Sequence, residues 1–339
     1  MDRRSSIIIS SVSLILAVTL LSGCGSMADR QPDSVTYVNR KSDLAKTATR
    51  QQFTERVLYL KDVNGLVAPQ AVGLPKTDQA TKQVLNYLVD DGPVSELLPN
   101  GFQATLPPGT EVNHVSIDQR GNATVDFSKE LFDTPASGQT QAIQSIVWTL
   151  TQFPSVKSVT ITVNGKTLSV WPSTKNEVGG GLTRADGINQ VSGGVADMSG
   201  SQPLTVYYLA ANKGKTYDVP VTVRGAADTD RVTSLVHALI HEPESGPFIT
   251  PLNPETELTE KPKIKNGTVY LHFNEAIYDN KKAKTINDQV IRSLVLTLTG
   301  DAAIQKVSIK VGQSTKMTLE SGKTISGPVT REWVDATGI

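Results

Sequence analysis

The amino-acid sequence predicts an α+β protein made of two tandem split-βαβ domains, each a mixed sheet with two helices on one face. A pattern of apolar runs and turns occurs twice, and the second copy follows the first by about 150 residues. Within each copy, short β-forming runs and segments of helical periodicity follow in the order strand, helix, strand, strand, helix, strand. This order is that of a split βαβ unit, in which both helices pack on one face of the sheet.

The duplication extends along the whole of each copy. The run Val57–Leu60 matches Val206–Leu209, and Val125–Phe127 matches Leu271–Phe273. The other matched pairs are Leu106–Val112 with Leu252–Leu258, Ser145–Thr151 with Ser293–Thr299, Val159–Val163 with Val307–Val311, and Leu182–Arg184 with Val329–Arg331. A spacing this constant over so many segments indicates two copies of one structural unit.

The elements of the first copy follow from local patterns. The clearest predicted helix is 139–153, where apolar residues recur about every 3.6 positions. A second helix is predicted over 78–89, with Thr77 as its N-cap and Gly92-Pro93 as its stop. The predicted strands are 57–61, 112–117, 123–127 and 156–163, and an Asn164-Gly165 turn follows the last of them.

The second copy repeats this order, with helices predicted near 229–241 and 287–299. Gly300 suits the position just after the second of these helices, where a left-handed residue often ends a helix. The apolar faces of the two longest helices should form the core of each copy. The residues predicted to be buried there are Ile146, Val147, Leu150, Leu294, Val295 and Leu298.

The N-terminus has the features of a bacterial lipoprotein precursor. A short basic head is followed by an apolar run from Ile7 to Leu21, which is short for a membrane span, and then by Leu21-Ser-Gly-Cys24. This ending matches the lipobox, in which the chain is cut before the cysteine and the thiol carries a diacylglycerol. We therefore predict lipidation of Cys24, with an uncleaved anchor or an ordinary secretory signal as the alternatives.

The predicted domain organisation follows from these patterns and from composition. Residues 24–53 are polar and predict a flexible tether, and the Gly- and Ser-rich stretch between the copies predicts a linker. The predicted bounds are a signal peptide at 1–23, a lipidated tether at 24–53, a first domain at 54–172, a linker at 173–202, a second domain at 203–320 and a C-terminal tail at 321–339.

Composition excludes several functions. The 33 basic and 33 acidic residues give a formal net charge of zero, without a basic block, so nucleic acid is not expected as a partner. The single cysteine excludes internal disulfides and cysteine-based metal sites. Aromatic residues make up only 5% of the chain, which leaves few platforms for stacking sugars or bases.

The lipobox and the two repeats together resemble the GerM family, over nearly the whole chain. The first copy carries most of the matching motifs, whereas in the second Glu255 replaces Gly109 and Leu296 replaces Trp148. The motifs that carry the resemblance are Gly92-Pro93, Leu98–Gly101, Leu106–Thr110, Val125–Ser128 and Val147–Phe153.

This resemblance implies a membrane lipoprotein of endospore-forming bacteria that acts in sporulation and spore germination. It also implies a place in the envelope-spanning complex between mother cell and forespore, and domains similar to ring-building motifs. No catalytic residues accompany the family, so none are assigned to this chain.

Histidines offer the best candidate metal ligands. His237 and His241 lie one turn apart on a predicted helix and could together face Zn²⁺. The zincin pattern requires Glu after the first His, however, and Ala238 stands there. A polar face near a helix C-terminus, where His suits the dipole, is the alternative that we favour. We predict no metal and no cofactor.

Other motifs lack the context that catalysis requires. The Gly-Lys-Thr triplets that begin at Gly165 and Gly322 follow strands and lack the earlier glycine of a phosphate-binding loop. Ser145 and Ser293 lie inside predicted helices without a nucleophile elbow, and the pair Asp90-Asp91 is expected to be solvated. The sequence therefore predicts a protein that is not an enzyme.

The two long loops 91–110 and 243–262 are rich in Pro and Gly and are candidates either for binding or for capping the fold. The predicted function is a non-enzymatic, lipid-anchored assembly scaffold of the cell envelope. Its expected partners are envelope or sporulation proteins, the membrane through Cys24, and a second copy of itself. The alternatives are a solute-binding protein of a transporter and an accessory of a cell-wall hydrolase. The expected location is the extracytoplasmic face of the cell membrane, in the space between mother cell and forespore.

Overall fold

The first repeat opens with a long β-hairpin. The structure is a computed structural model that describes residues 53–93, 95, 97–191 and 200–337. Strand β1 (Phe53–Asp62) pairs antiparallel with β2 (Val67–Pro75). The short strand β3 (Phe102–Gln103) pairs with the other edge of β1. The predicted signal peptide, Cys24 and nearly all of the tether lie outside the described residues.

The second strand of this hairpin is absent from the predicted element order. Its sequence contains Pro69 and Pro75, which favour a loop because proline cannot donate to a strand ladder. The sheet order β2-β1-β3 places the strand at an edge, where a missing N–H is tolerated. Each repeat therefore begins with two strands rather than one.

The mixed sheet of the first repeat follows the hairpin. Its order is β4 (Val112–Ile117), β5 (Asn122–Phe127), β6 (Ser158–Val163) and β7 (Lys166–Thr167). Strands β5 and β6 are parallel, and helix α2 (Ala136–Leu150) connects them. The predicted turn at Asn164-Gly165 is present, since both residues have positive φ and join β6 to antiparallel β7.

Helix α1 (Ala80–Asn86) is shorter than the predicted helix 78–89. Its N-cap is Gln79 and not Thr77, and the Thr77 hydroxyl accepts from the backbone N–H of Gln79. After α1 the chain forms a 3₁₀-type turn, in which the Leu88 N–H donates to Leu85 O, three residues earlier. A short 3₁₀ helix (Lys129–Phe132) precedes α2.

The second repeat has the same layout. Strands β8 (Ser201–Asn212) and β9 (Lys215–Ala226) form its hairpin, and helix α3 (Arg231–Ile240) follows. The mixed sheet has the order β10 (Lys263–Lys265), β11 (Thr268–Phe273) and β13 (Lys306–Val311), with β11 and β13 parallel. Helix α4 (Asp288–Leu298) lies between these two strands in the chain. The remaining elements are β12 (Thr285–Ile286), β14 (Met317–Leu319), β15 (Thr324–Ile325), helix α5 (Arg331–Thr337) and 3₁₀ helices at Arg184–Asp186 and Glu275–Ile277.

The predicted fold class is confirmed. The chain has mixed α/β content, with two repeats of like topology, and in the described ranges every sheet is built from strands of one repeat only. Helices α2 and α4 present their apolar faces to the core. The six residues predicted to be buried there are all at most 3% exposed: Ile146, Val147, Leu150, Leu294, Val295 and Leu298.

The segments that trail each repeat add to its sheet. Leu182 exchanges two backbone hydrogen bonds with Val159 of β6, and Val329 does the same with Val307 of β13. The predicted linker and C-terminal tail thus contain residues that pair with the repeats, because backbone polar groups at a sheet edge find partners in the returning chain. The exact domain bounds remain a prediction.

Candidate functional site

The two repeats meet through equivalent tyrosines. The hydroxyl oxygens of Tyr59 on β1 and Tyr207 on β8 lie 3.4 Å apart, and both side chains are buried. In each repeat the tyrosine N–H donates to a threonine hydroxyl on the long helix, Thr149 for Tyr59 and Thr297 for Tyr207, at 3.0 Å. Each tyrosine is therefore bonded to the long helix of its own repeat in the same way, and the contact between the two tyrosines is close to symmetric.

Two arginines of the trailing segments reinforce this contact. The Arg184 guanidinium lies 4.6 Å from the ring centre of Trp148 and 5.8 Å from that of Tyr59. Arg331 lies 5.6 Å from the Tyr207 ring. These are cation–π distances, which are worth more where water is excluded. Burial, and then the nearby Tyr207, raises the pKa of Tyr59, so its hydroxyl stays protonated.

The side chain of each arginine also caps the C-terminal end of a helix. Arg184 Nη2 donates to Trp148 O at 3.3 Å, and Arg331 Nη2 donates to Leu296 O at 2.7 Å. These carbonyls belong to the last turns of α2 and α4, where backbone acceptors lack helical partners and cations are favoured. Each of these arginines therefore caps the long helix of its repeat and also contacts the tyrosine at which the repeats meet.

A second set of contacts lies between the two hairpins. Tyr217 of β9 donates its hydroxyl to Asp62 Oδ2 of β1 at 2.7 Å, and its ring packs edge-on against Phe102 at 5.0 Å. Asp62 is 2% exposed and its other oxygen accepts the N–H groups of Asn64 and Leu66. We call Tyr59, Asp62, Asn189, Tyr207 and Tyr217 the inter-repeat seam.

Asn189 bonds to both hairpins at once. Its side-chain amide donates to Val67 O at 2.8 Å and to Pro220 O at 2.9 Å, and its Oδ1 accepts from Val67 N–H at 2.8 Å. The residue has φ of 45°, a left-handed conformation that asparagine tolerates better than most residues. A residue of the predicted linker thus ties β2 to β9.

An open cleft of about 880 Å³ lies beside the seam. Uncharged amides and hydroxyls dominate its lining, together with two aromatic rings and one carboxylate, Glu177. Several of the amides are already bonded to backbone, such as Gln141 Nε2 to Gly65 O and Gln190 Nε2 to Asp186 O. The cleft offers polar contacts without a concentration of charge.

The two long loops are packed against the fold. In loop 91–110, Phe102 and Leu106 are buried, and the Leu106 N–H donates to Leu88 O at 2.9 Å. In loop 243–262, Ile249 exchanges backbone hydrogen bonds with Leu209 of β8, while Phe248 is buried. These contacts agree with the capping alternative without excluding binding, and loop 91–110 also reaches the seam through Phe102.

The predicted histidine pair lines a separate cavity of about 580 Å³. The rings of His237 and His241 stand edge to face at 4.5 Å, and burial together with His241 lowers the pKa of His237. Among the residues that the structure describes, no three His, Cys, Asp or Glu side chains are grouped as metal ligands. The pair by itself supplies two imidazoles.

The other candidates lie apart from one another. Ser145 is fully buried, donates to Tyr59 O and accepts from Thr105 Oγ1, so it supports the seam. Ser293 is also fully buried. Lys166 is exposed at the start of β7, and Thr324 begins β15, so neither Gly-Lys-Thr triplet opens a helix. Cys24, the residue predicted to carry the lipid, lies outside the residues that the structure describes.

Sequence patterns did not predict the seam. The match of Val57–Leu60 with Val206–Leu209 aligns Tyr59 with Tyr208. The structure instead gives Tyr207 the place equivalent to Tyr59, because the N–H of each donates to the matching threonine of its long helix. Asn189 and Tyr217 lie in segments predicted as linker or left unassigned. None of the helices in the described ranges is both long enough and apolar enough to cross a bilayer.

The fold and the seam define a class of protein: a tandem α+β repeat protein whose two copies are joined through equivalent positions. Comparison with known proteins then identifies the family. The sequence matches the Germane family, described as sporulation and spore germination, over residues 40–169 and 205–316. The chain belongs to this family.

Relatives agree with that assignment. The chain is 38% identical over 360 residues to the spore germination protein GerM of Bacillus subtilis (strain 168), covering 98% of both chains. It is similar to the solved tandem GerMN domains of the sporulation protein GerM from Bacillus subtilis, with a TM-score of 0.77, 41% identity, and coverage of 82% of this chain and 98% of that one. The solved first GerMN domain of that protein is 44% identical, with a TM-score of 0.38 and coverage of 39% of this chain and 99% of that one. The resemblance seen in the sequence motifs is confirmed, and the chain is a sporulation and spore germination protein.

Proposed function

We propose that the protein is a non-enzymatic, lipid-anchored scaffold of the cell envelope during sporulation and germination. The observation that carries this proposal is the seam. Hydrogen bonds at Tyr59, Asn189 and Tyr217 hold the two repeats together, so the surfaces of the two repeats keep a set spacing. A scaffold benefits from such spacing, because a partner that binds one surface meets the second at raised effective concentration.

The proposed partners are envelope and sporulation proteins, with self-association as an alternative. The proposed location is the outer face of the cell membrane, in the space between mother cell and forespore. Pull-down of the tagged full chain from sporulating cells tests this directly. Recovery of an envelope protein supports the scaffold, whereas turnover of cell-wall fragments by the purified chain would favour the hydrolase alternative.

Lipid anchoring gives the first prediction. Mass spectrometry of the protein extracted from membranes should find acyl chains on Cys24, with Cys24 as the mature N-terminus. The Cys24→Ala form should accumulate as a precursor that lacks these chains. If that form stays quantitatively in the membrane and still carries residues 1–23, the segment is an uncleaved anchor instead.

The seam gives the second prediction. Asn189→Ala leaves the N–H of Val67 and the carbonyls of Val67 and Pro220 without their partner. We expect a loss of about 1–3 kcal/mol in unfolding free energy, because buried polar groups without partners are costly. We also expect fewer heat-resistant spores when this variant replaces the relative in Bacillus subtilis than when the unchanged chain does.

Asn266→Ala is the matched control for this test. Asn266 also has positive φ, 51°, but it lies in the β10–β11 turn, away from the seam. Both substitutions therefore introduce similar backbone strain, and only Asn189→Ala removes bonds between repeats. If the two variants support spores equally while small-angle scattering shows a loosened Asn189→Ala chain, a rigid spacing is not needed and the scaffold proposal loses its basis.

The cleft favours a second candidate, a solute-binding protein of a transporter. Its volume of about 880 Å³ suits a small polar molecule. Closure around a solute normally needs a hinge, however, and the bonds of the seam oppose movement of the repeats. Calorimetry of the full chain with candidate sugars and peptides decides: micromolar binding without any protein partner would favour this second candidate.

A further inference from the structure

The outer face of the second sheet carries four lysines. Lys263 and Lys265 on β10 are exposed, as is Lys306 on β13, while Lys310 is half-buried. Their pairing partners are Tyr270, Thr268 and His272 of β11, and paired residues in adjacent strands point to the same side. Helix α4 packs on the opposite side, where Val269 and Leu271 are buried.

The spacing of the strands makes this a compact patch. Adjacent strands lie about 4.8 Å apart, so the backbones of β10 and β13 are separated by roughly 10 Å. Lys306 and Lys310 are roughly 13 Å apart along their strand at about 3.3 Å per residue. We call Lys263, Lys265, Lys306, Lys310 and Tyr270 the lysine face.

The first repeat provides an internal comparison, because its sheet has the same pairings without lysine at these positions. The positions equivalent to the four lysines, in the same order, are Ser116, Asp118, Ser158 and Thr162. On that face the polar groups bond to one another: Asn122 Oδ1 accepts from Ser158 and Thr160, and Asp126 accepts from Thr162. The fold itself therefore does not require lysine at these positions.

Little on the protein neutralises the lysine face. Among the described residues, none of the four lysines forms an ion pair within 4.0 Å. A carboxylate beside this face is that of Glu260, which lies 2.8 Å from His272 Nδ1. The hydrogen bond from His272 lowers the pKa of Glu260, and the charges of Lys263 and Lys310 add to this effect. Four ammonium groups without ion pairs give this face an excess of positive charge, although the whole chain has a net charge of zero.

Tyr270 stands among these lysines and is 40% exposed. A tyrosine ring with a polar tip is favoured at the boundary between lipid headgroups and acyl chains. Lysines on the same surface attract anionic headgroups, and the attraction is strong only within a Debye length of the surface. An exposed sheet face with both features matches a bilayer surface better than a groove would.

We propose that the lysine face docks on a bilayer surface rich in anionic phospholipid. The charge complementarity and the exposed Tyr270 carry this inference, which does not depend on the scaffold function. Docking would turn the second sheet toward the membrane. The equivalent face of the first repeat, whose polar groups bond to one another, would stay free to contact other molecules.

Lysine footprinting of the full chain tests the proposal. The chain is reconstituted in vesicles of phosphatidylcholine alone or of equal parts phosphatidylcholine and phosphatidylglycerol, and lysines are acetylated with a water-soluble reagent. On the anionic vesicles we expect the four lysines to react about tenfold more slowly than on neutral ones. The exposed Lys281, Lys282 and Lys284 should react equally on both. At 1 M salt the difference should vanish, because the Debye length falls to about 3 Å.

A charge variant adds a second readout. Tyr270 should be protected from hydroxyl-radical oxidation on anionic vesicles, and K263Q/K265Q/K306Q/K310Q should lose that protection. The control K281Q/K282Q/K284Q removes lysines outside the sheet and should keep it. Equal labelling on both vesicle types would overturn the proposal. So would protection that appears without vesicles and grows with protein concentration, which would indicate a second copy, or protection produced only by soluble inorganic polyphosphate.

Discussion

Phe127→Ala should lower the free energy of unfolding by about 3–5 kcal/mol, the usual cost of replacing a buried phenylalanine with alanine. Phe127 ends β5, is fully buried, and pairs with Val112 on one side and Val163 on the other. The substitution removes the ring from a core in which strands and α2 already pack closely, so a cavity remains. Chemical denaturation of the full chain measures the loss.

Two further variants sharpen this test. Phe53→Ala removes a phenylalanine that is 45% exposed and should change stability by no more than about 0.5 kcal/mol. Phe273→Ala affects the equivalent buried position of the second repeat. If the seam joins the repeats into one cooperative unit, Phe127→Ala and Phe273→Ala will shift a single transition. A loss below 1 kcal/mol for Phe127→Ala would contradict the packing described for β5.

Arg292→Leu should cost about 3–5 kcal/mol, because it leaves a buried carboxylate without its cation. Arg292 on α4 contacts Asp218 of β9 through Nε and Oδ2 at 2.6 Å, and Asp335 of α5 lies 3.8 Å from Nη1. Burial opposes the charge of Arg292, but the carboxylate and hydrogen bond of Asp218 outweigh it and raise the pKa of Arg292. The pair joins the hairpin of the second repeat to its long helix.

A double-mutant cycle separates pairing from packing. Asp218→Leu with Arg292→Leu removes both charges and should recover much of the stability that Arg292→Leu loses, since well-packed apolar residues can replace a buried pair. Arg231→Leu is the control, because Arg231 and Asp301 form a more exposed pair at 3.5 Å and should contribute at most about 1 kcal/mol. If the double variant is less stable than Arg292→Leu alone, the charges are not the source of the effect.

Local patterns were sufficient for the repeats and the core. Period and spacing along α2 and α4 predicted their buried residues, because a helix that packs on a sheet must repeat its apolar positions about every 3.6 residues. The duplication, together with the motifs of the first copy, was sufficient for the family. Local patterns did not predict β2 and β9, because these strands contain Pro69 and Pro220. Proline argues against a strand in a sequence and is tolerated in a sheet mainly on an edge strand.

The sequence by itself determined the two copies, their helices, their shared core and their membership of a sporulation family. Only the tertiary structure decided which surfaces meet and which remain free. Tyr59 and Tyr207 lie about 150 residues apart in the chain, and Lys263 and Lys306 about 40 apart, so no local period relates them. Folding brings the first pair together because two hairpins pack against each other, and the second because the β10-β11-β13 sheet places distant segments side by side. The physical reason is that strand pairing and packing between repeats depend on non-local contacts, which a sequence encodes only through its complete fold.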